Sequence, residues 1–134
     1  MNNISQYKIV AFATVNGIKI DFLSWNRKPL KMSIIPKIRL LSLADIAAMK
    51  IFAILQRGEK KDCIYTCELI KIYSLNEIIT FYNLKYNVSD ALLIIRYLTS
   101  TSDIENQPLL NMLNDINWED CKLIINHSIK SYLI

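Results

Sequence analysis

The sequence predicts an α+β fold: a small β-hairpin or mixed sheet over about 7–41, followed by a bundle of about five helices. Three observations predict it. Of 134 residues, 52% are apolar while only 2 are Gly and 3 are Pro, too few turn-formers for a sandwich or barrel of many short strands. Residues 7–25 hold β-branched and aromatic runs on either side of Asn16-Gly17. From Ser42 onward the apolar residues form longer segments, each opened by a cap-like polar residue. A chain of this length buries on the order of two thirds of the surface its unfolded form exposes. Residues 1–134 therefore read as a single domain, strand-rich over 1–41 and helical over 42–134, that needs neither disulfides nor a structural metal.

The elements follow in order. Asn-Gly between two apolar runs is a strong hairpin signal, because both turn residues must tolerate positive φ, so strands are expected at about 7–15 and 18–25. On the second, Ile18, Ile20 and Phe22 share one face and Lys19, Asp21 and Leu23 the other. Residues 26–36 read as a loop and 37–41 as a short third strand. Ser42, with Asp45 three positions on, resembles a capping box with Asp in place of Glu. Gly58 suits the residue just past a helix end. The first helix should thus span 43–57, and being apolar almost all round it should sit at the centre. Further helices are expected at 60–72, at 75–85 behind Ser74 and Glu77, from the Asn87–Asp90 region to about Leu98, and at 118–132. Residues 99–117 read as a loop with room for one helical turn.

Composition excludes several classes. Three cysteines imply no disulfide framework. Cys63 and Cys67 stack on one helical face, but His127 is the one histidine and lies far along the chain as a surface residue, so a zinc site lacks ligands. Apolar stretches are interrupted by Lys50 and Arg96 before reaching the ~20 residues of a membrane span. The start, Met-Asn-Asn-Ile-Ser, is unlike a signal peptide. A reducing cytoplasm is the expected location. The net charge of +4 comes from Lys and Arg that read as scattered solvated cations. Trp25 and Trp118 read as core or rim.

One helical face bears Lys50 and Arg57, seven residues and nearly two turns apart, separated by the small Ala53. Lys60, Lys61 and Asp62 follow the turn at Gly58. Cations on a shared face suit the phosphates of a nucleotide. The ordinary alternative, which spacing alone favours, is a snorkelling lysine and a solvated helix end. Asp21 could hold a metal or accept a proton, or simply face water.

The string LSLADIAAMKIFAILQRGEKKDCIYTCELIKIYSLNEIITFY resembles the C-terminal half of the nucleotidyltransferase AbiEii/AbiGii toxin family, where a helix with K-x-x-A-I-x-x-R leads through a basic turn into K-D-x-x-D-L. Lys50, Ala53, Ile54, Arg57, Lys61 and Asp62 stand at the motif positions. The strand NGIKIDFLSW is similar to the one bearing the third carboxylate of that family's site, with Asp21 as its counterpart. The resemblance covers roughly 8–132 and implies a partial nucleotidyltransferase-like fold. It implies Lys50, Arg57, Lys61 and Asp62 as nucleotide-binding residues and Asp21 as a catalytic, metal-holding residue of an incomplete site. Mg²⁺ and a nucleoside triphosphate are its implied cofactors. The family's Gly-Gly or Gly-Ser turn and D-x-D pair have no counterpart here, and Tyr65 replaces its last acid.

The expected protein is thus a truncated member of a toxin–antitoxin family that grips nucleotide phosphates without catalysing transfer alone. Its exposed sheet edge and apolar surface should invite a second copy, a cognate antitoxin or a complementing N-terminal chain. Two alternatives stand beside it: an active nucleotidyltransferase once such a chain supplies the missing acids, and a helical interaction module without enzymatic activity. No membrane is expected as partner.

Overall fold

The computed structural model describes residues 7–25, 27–109, 111 and 115–134. Residues 1–6, 26, 110 and 112–114 lie outside the description, as do the side chains of residues 7–10 and of Trp25, so the readings of the chain start and of Trp25 lie outside it too. Strands β1 (Tyr7–Val15) and β2 (Ile18–Trp25) pair antiparallel. Asn16 and Gly17 close them with φ of 50° and 78°, the positive values that a two-residue hairpin turn of matching twist requires. The pairing skips Val10 between Ile9 and Ala11, a bulge invisible in the alternation. Opposed residues share a face, so Ala11, Ala13, Val15, Ile18, Ile20 and Phe22 form one wholly apolar side. Phe12, Thr14, Lys19 and Asp21 form the other.

The expected loop at 26–36 contains a strand instead. Strands β3 (Met32–Ile35) and β4 (Ile38–Leu41) make a second antiparallel hairpin. The residues expected as an isolated third strand are its returning arm. Pro36 and Lys37 form the turn, Lys37 at φ 70°, so Pro supplies a fixed φ and the next residue takes the left-handed conformation. The two hairpins remain separate two-stranded sheets, both antiparallel.

Five helices follow: α1 (Leu43–Arg57), α2 (Lys60–Ile70), α3 (Leu75–Tyr86), α4 (Ala91–Thr99) and α5 (Trp118–Leu133), with a 3₁₀ turn at Ser102–Ile104. Gly58 ends α1 at φ 57°, and Asn87 ends α3 at φ 54°. Ser74 and Glu77 form a full capping box, each side chain satisfying the other's backbone N–H. α1 packs against α2, α3 and α4, with α5 covering α2, the central place its composition predicts. Ile51, Ile54, Ile64, Ile78, Ile94 and Ile125 are fully buried between them, each worth roughly 1.5–3 kcal/mol of transfer free energy. Cys63, Cys67 and Cys121 are free thiols within this core. Burial pushes the first two up to about 11 and about 12, so they remain protonated and poorly nucleophilic. Among the described residues no helix is long and apolar enough to cross a membrane.

The strand-rich part and the bundle are joined through Asp45. Ser42 caps α1 by accepting from the Asp45 N–H, and its hydroxyl donates to Asp45 Oδ2 at 2.7 Å. In a full capping box the acid would return to the N-cap N–H. Here the Ser42 N–H donates to the carbonyl of Lys31, and the Asp45 carboxylate accepts from the N–H groups of Leu30 (2.8 Å) and Lys31 (3.1 Å). Lys85 on α3 donates to Asp45 Oδ1 at 2.5 Å and reaches the carbonyl of Lys28 at 3.4 Å. Both charged side chains are essentially inaccessible, 1% for Lys85 and 0% for Asp45. Burial alone would raise the Asp45 carboxyl, but the Lys85 ammonium, the Leu30 N–H, the Ser42 hydroxyl and the Lys31 N–H together bring it from 3.8 to about 2.

Because the folded carboxyl titrates below the unfolded one, its contribution is full above pH of about 4 and fades as pH falls to about 2, a span worth about 2 kcal/mol. Asp45→Asn is expected to cost about 3–5 kcal/mol at neutral pH, since it strands the Lys85 charge in the interior. Urea midpoints of the two proteins should draw together as the solution is acidified, and a gap independent of pH would contradict this account.

Candidate functional site

The two cations singled out on α1 converge with Asp62 at the corner between α1 and α2. Gly58 and Glu59 are the whole joint, so α2 turns back at once and its first turn faces the end of α1. Asp62, fully buried, accepts from Arg57 Nε at 2.8 Å and from Arg57 Nη2 at 2.9 Å. This two-pronged guanidinium–carboxylate pairing is among the stronger charged hydrogen-bond arrangements. Lys50 Nζ lies 3.7 Å from Asp62 Oδ1 and 4.2 Å from the centre of the Tyr65 ring. Tyr65 therefore presents its π face to the ammonium where the resembled motif has an acid. Burial pulls the Lys50 amine below its usual value, the Asp62 charge opposing and the Arg57 charge assisting.

Lys61 points to Glu59, 2.7 Å away, and Glu59 also lies 3.8 Å from Arg57. Three cations and two carboxylates thus share the corner, one positive charge in excess. Arg57 and Lys61 keep 46% and 39% of their side chains exposed, while Asp62 is inaccessible and serves as counter-ion. A cleft of about 550 Å³ opens beside Arg57 between the last turns of α1 and α4, with Arg96, Tyr97 and Asp103 on its wall.

Asp21 is not part of this corner. It lies on the polar face of the β1–β2 hairpin, 3.7 Å from Lys19 and partly exposed, and no described hydrogen bond or ion pair connects it to α1 or α2. It is also the sole acid in residues 7–41. A cation there would meet one carboxylate with the Lys19 ammonium beside it. Among the described residues no group of three His, Cys, Asp or Glu is placed to hold a metal ion.

Several residues escaped the sequence reading. Of the two lysines that open α2, Lys60 and not Lys61 is buried: its Nζ donates to the Glu105 carbonyl at 2.5 Å and its N–H to Gln107 Oε1 at 2.8 Å. Glu105 in turn accepts from Trp118 Nε1 and Lys122, which fastens the 3₁₀ region between α2 and α5. Lys85 falls on the buried stripe Leu75, Ile78, Ile79, Tyr82, Lys85, Tyr86; a cation on an apolar helical period was a readable sign of a buried partner.

The largest departure concerns residues 28–41. All fourteen are exposed, among them Ile34 at 78%, Ile38 at 59% and Ile35 at 52%. The cations that read as scattered are concentrated here: Arg27, Lys28, Lys31, Lys37 and Arg39 stand in a stretch, 27–41, that contains no acid. Residues 42–134 carry 9 cations and 11 acids. Among the described residues neither hairpin packs on a helix over more than a grazing contact.

Comparison with protein-family models, with curated proteins and with solved structures finds no match to this chain.

Removing Asp62 should leave Arg57 and Lys50 without their shared counter-ion, so Asp62→Ala is expected to cost about 3 kcal/mol or more. Lys50→Met, which trades a desolvated cation for an apolar chain over Tyr65, should change stability by about 1 kcal/mol or less. Equilibrium denaturation of the two variants tests the ranking; a reversed order would show that Lys50 rather than Asp62 organises the corner.

Proposed function

We propose that the protein is a docking module, in which the helical bundle acts as a rigid base and the hairpin at 28–41 is the surface offered to a partner. The observation that carries the reading is the combination found in that hairpin: consecutive exposed apolar side chains on a segment whose base is pinned to the core through Asp45 and Lys85. Two-stranded hairpins are marginal in water unless something covers them, and contiguous exposed apolar surface marks interaction sites in soluble proteins. The uncovered apolar face of β1–β2 adds to the same surface deficit.

If the arm is a surface for others, it contributes little to the bundle. Ile34→Ser with Ile38→Ser should therefore shift unfolding by no more than about 0.5 kcal/mol, whereas Ile51→Ala in the core should cost about 2–5 kcal/mol. Thermal melts of both variants make the comparison. An arm variant as damaged as the core variant would return these residues to the fold and end the docking reading.

A second reading keeps the nucleotide. The convergence of Lys50, Arg57 and Lys61 at the α1–α2 corner, beside a cleft that adds Arg96 and Tyr97, favours an anionic phosphate ligand there, as the resemblance to the AbiEii/AbiGii toxin family implies. On this reading the chain is a nucleotidyltransferase-like domain that binds nucleotide without catalysing transfer alone, with a complementing chain or an antitoxin as its partner. ATP with Mg²⁺ titrated by calorimetry into wild type and Lys50→Ala tests it. Binding by wild type that is lost in the variant is the expected result; heat that is the same in both proteins, or absent from both, removes the nucleotide from the account.

A further inference from the structure

We infer that the β3–β4 arm docks by adding to the free sheet edge of an acidic protein partner; the inference rests on the docking reading and names the chemistry of what docks. Three features of the arm decide the partner. The first is charge. Lys28, Lys31, Lys37 and Arg39 lie within fourteen exposed residues that include no carboxylate, so the complementary surface is negative. Lys37 even takes the left-handed turn position that Gly or Asn fills at lower conformational cost, which sets a cation at the tip.

The second feature is the distribution of apolar side chains. Opposed residues in the hairpin share a face, so Met32, Leu41 and Ile34 stand with Arg39 on one side. Ile35, Ile38 and Leu40 stand with Ser33 on the other. Both faces are apolar and both are exposed. A lipid surface can cover one face of a hairpin and leaves the other in water, and deeper entry would strip water from the unpaired backbone of the strand edges. The third feature is those edges. Each strand pairs on one side only, which leaves a row of N–H and C=O groups that a further strand can satisfy. A protein sheet alone supplies all three needs at once: a strand for the edge, packed layers for the two faces, and acids for the cations.

Nucleic acid meets the charge but not the rest. The arm holds no aromatic residue on which a base could stack, and a phosphate backbone offers nothing to Ile34, Ile35 or Ile38. A second copy fails on charge: two arms bring like charge together, the free edges of its β1–β2 hairpin carry one acid, Asp21, already beside Lys19, and its acidic bundle has no strand edge.

The test uses the full chain and short synthetic strand peptides, read by fluorescence anisotropy. One peptide alternates Glu with Val, the second alternates Lys with Val, and the third is the Glu peptide N-methylated at every residue, so that neither of its backbone edges can donate. The Glu peptide should bind at least about tenfold more tightly than the Lys peptide and lose affinity as salt rises. N-methylation should abolish binding, because it removes the edge donors. A charge-reversed arm, Lys37→Glu with Arg39→Glu, should weaken the Glu peptide by about tenfold or more while leaving the melting temperature unchanged. Equal affinity for both peptides, or full binding by the methylated one, overturns the inference. So does binding only to phosphatidylglycerol vesicles or poly(U), which would keep the docking role and change the class of partner. Arm-dependent dimers in sedimentation would overturn it in favour of a second copy. Failure of the docking reading itself is seen elsewhere, as loss of bundle stability in the Ile34 and Ile38 variant.

Discussion

A single buried carboxylate holds the architecture in register. Asp45 stands at the start of the central helix, receives two backbone N–H groups from the segment before β3, caps its own helix with Ser42, and takes its counter-charge from Lys85 on α3. An isolated charge in that position would be intolerable, because burial penalises the ionised form by several kcal/mol. Four hydrogen-bond donors, one of them cationic, offset the penalty. The arrangement has a geometric effect beyond its energy. Two N–H groups that the strand-rich part would otherwise give to water are tied to the core instead, so the β3–β4 hairpin leaves the bundle in a defined direction although no face of it is packed there.

The charges divide into two populations by whether they are answered. In the bundle nearly every cation considered has its carboxylate or carbonyl: Arg57 and Lys50 have Asp62, Lys61 has Glu59, Lys60 has the Glu105 carbonyl, Lys122 has Glu105 and Glu119. These pairs are fasteners at the helix corners. Before β4 ends, by contrast, the chain carries one acid, Asp21, and that acid is engaged with Lys19. The net charge of the whole protein is small because an acidic bundle masks a basic arm, and an average over the chain hides both.

What the sequence disclosed follows from how local each signal was. The Asn16-Gly17 turn, the Ser42 and Ser74 caps and the Gly58 stop depend on residues within a few positions, so helix and strand bounds could be read to within a residue or two. β3 was hidden because Met32–Ile35 lies between Pro29 and Pro36, and two prolines read as loop although each sits outside the strand. The Asp45–Lys85 pair spans forty residues, a separation at which spacing carries no information. For the α1–α2 corner, the seven-residue interval and the short basic turn correctly brought Lys50, Arg57 and Asp62 together. The same reading could not tell a fastener from an open anion site, since that depends on where the carboxylate of Asp62 points. Asp21 carried no local signal either way, and among the described residues its ion pair is with Lys19 on its own hairpin.

The forty-residue reach of Lys85 has a consequence during synthesis. Asp45 and the arm leave the ribosome first, and their anchor is not polymerised until the end of α3. At about 5–20 residues per second the nascent chain spends several seconds with an apolar, cationic segment tethered to nothing. For that interval the same residues suited to a partner's sheet are equally open to premature association, so an acidic chaperone surface or the partner's own early presence would bear directly on the yield of native protein.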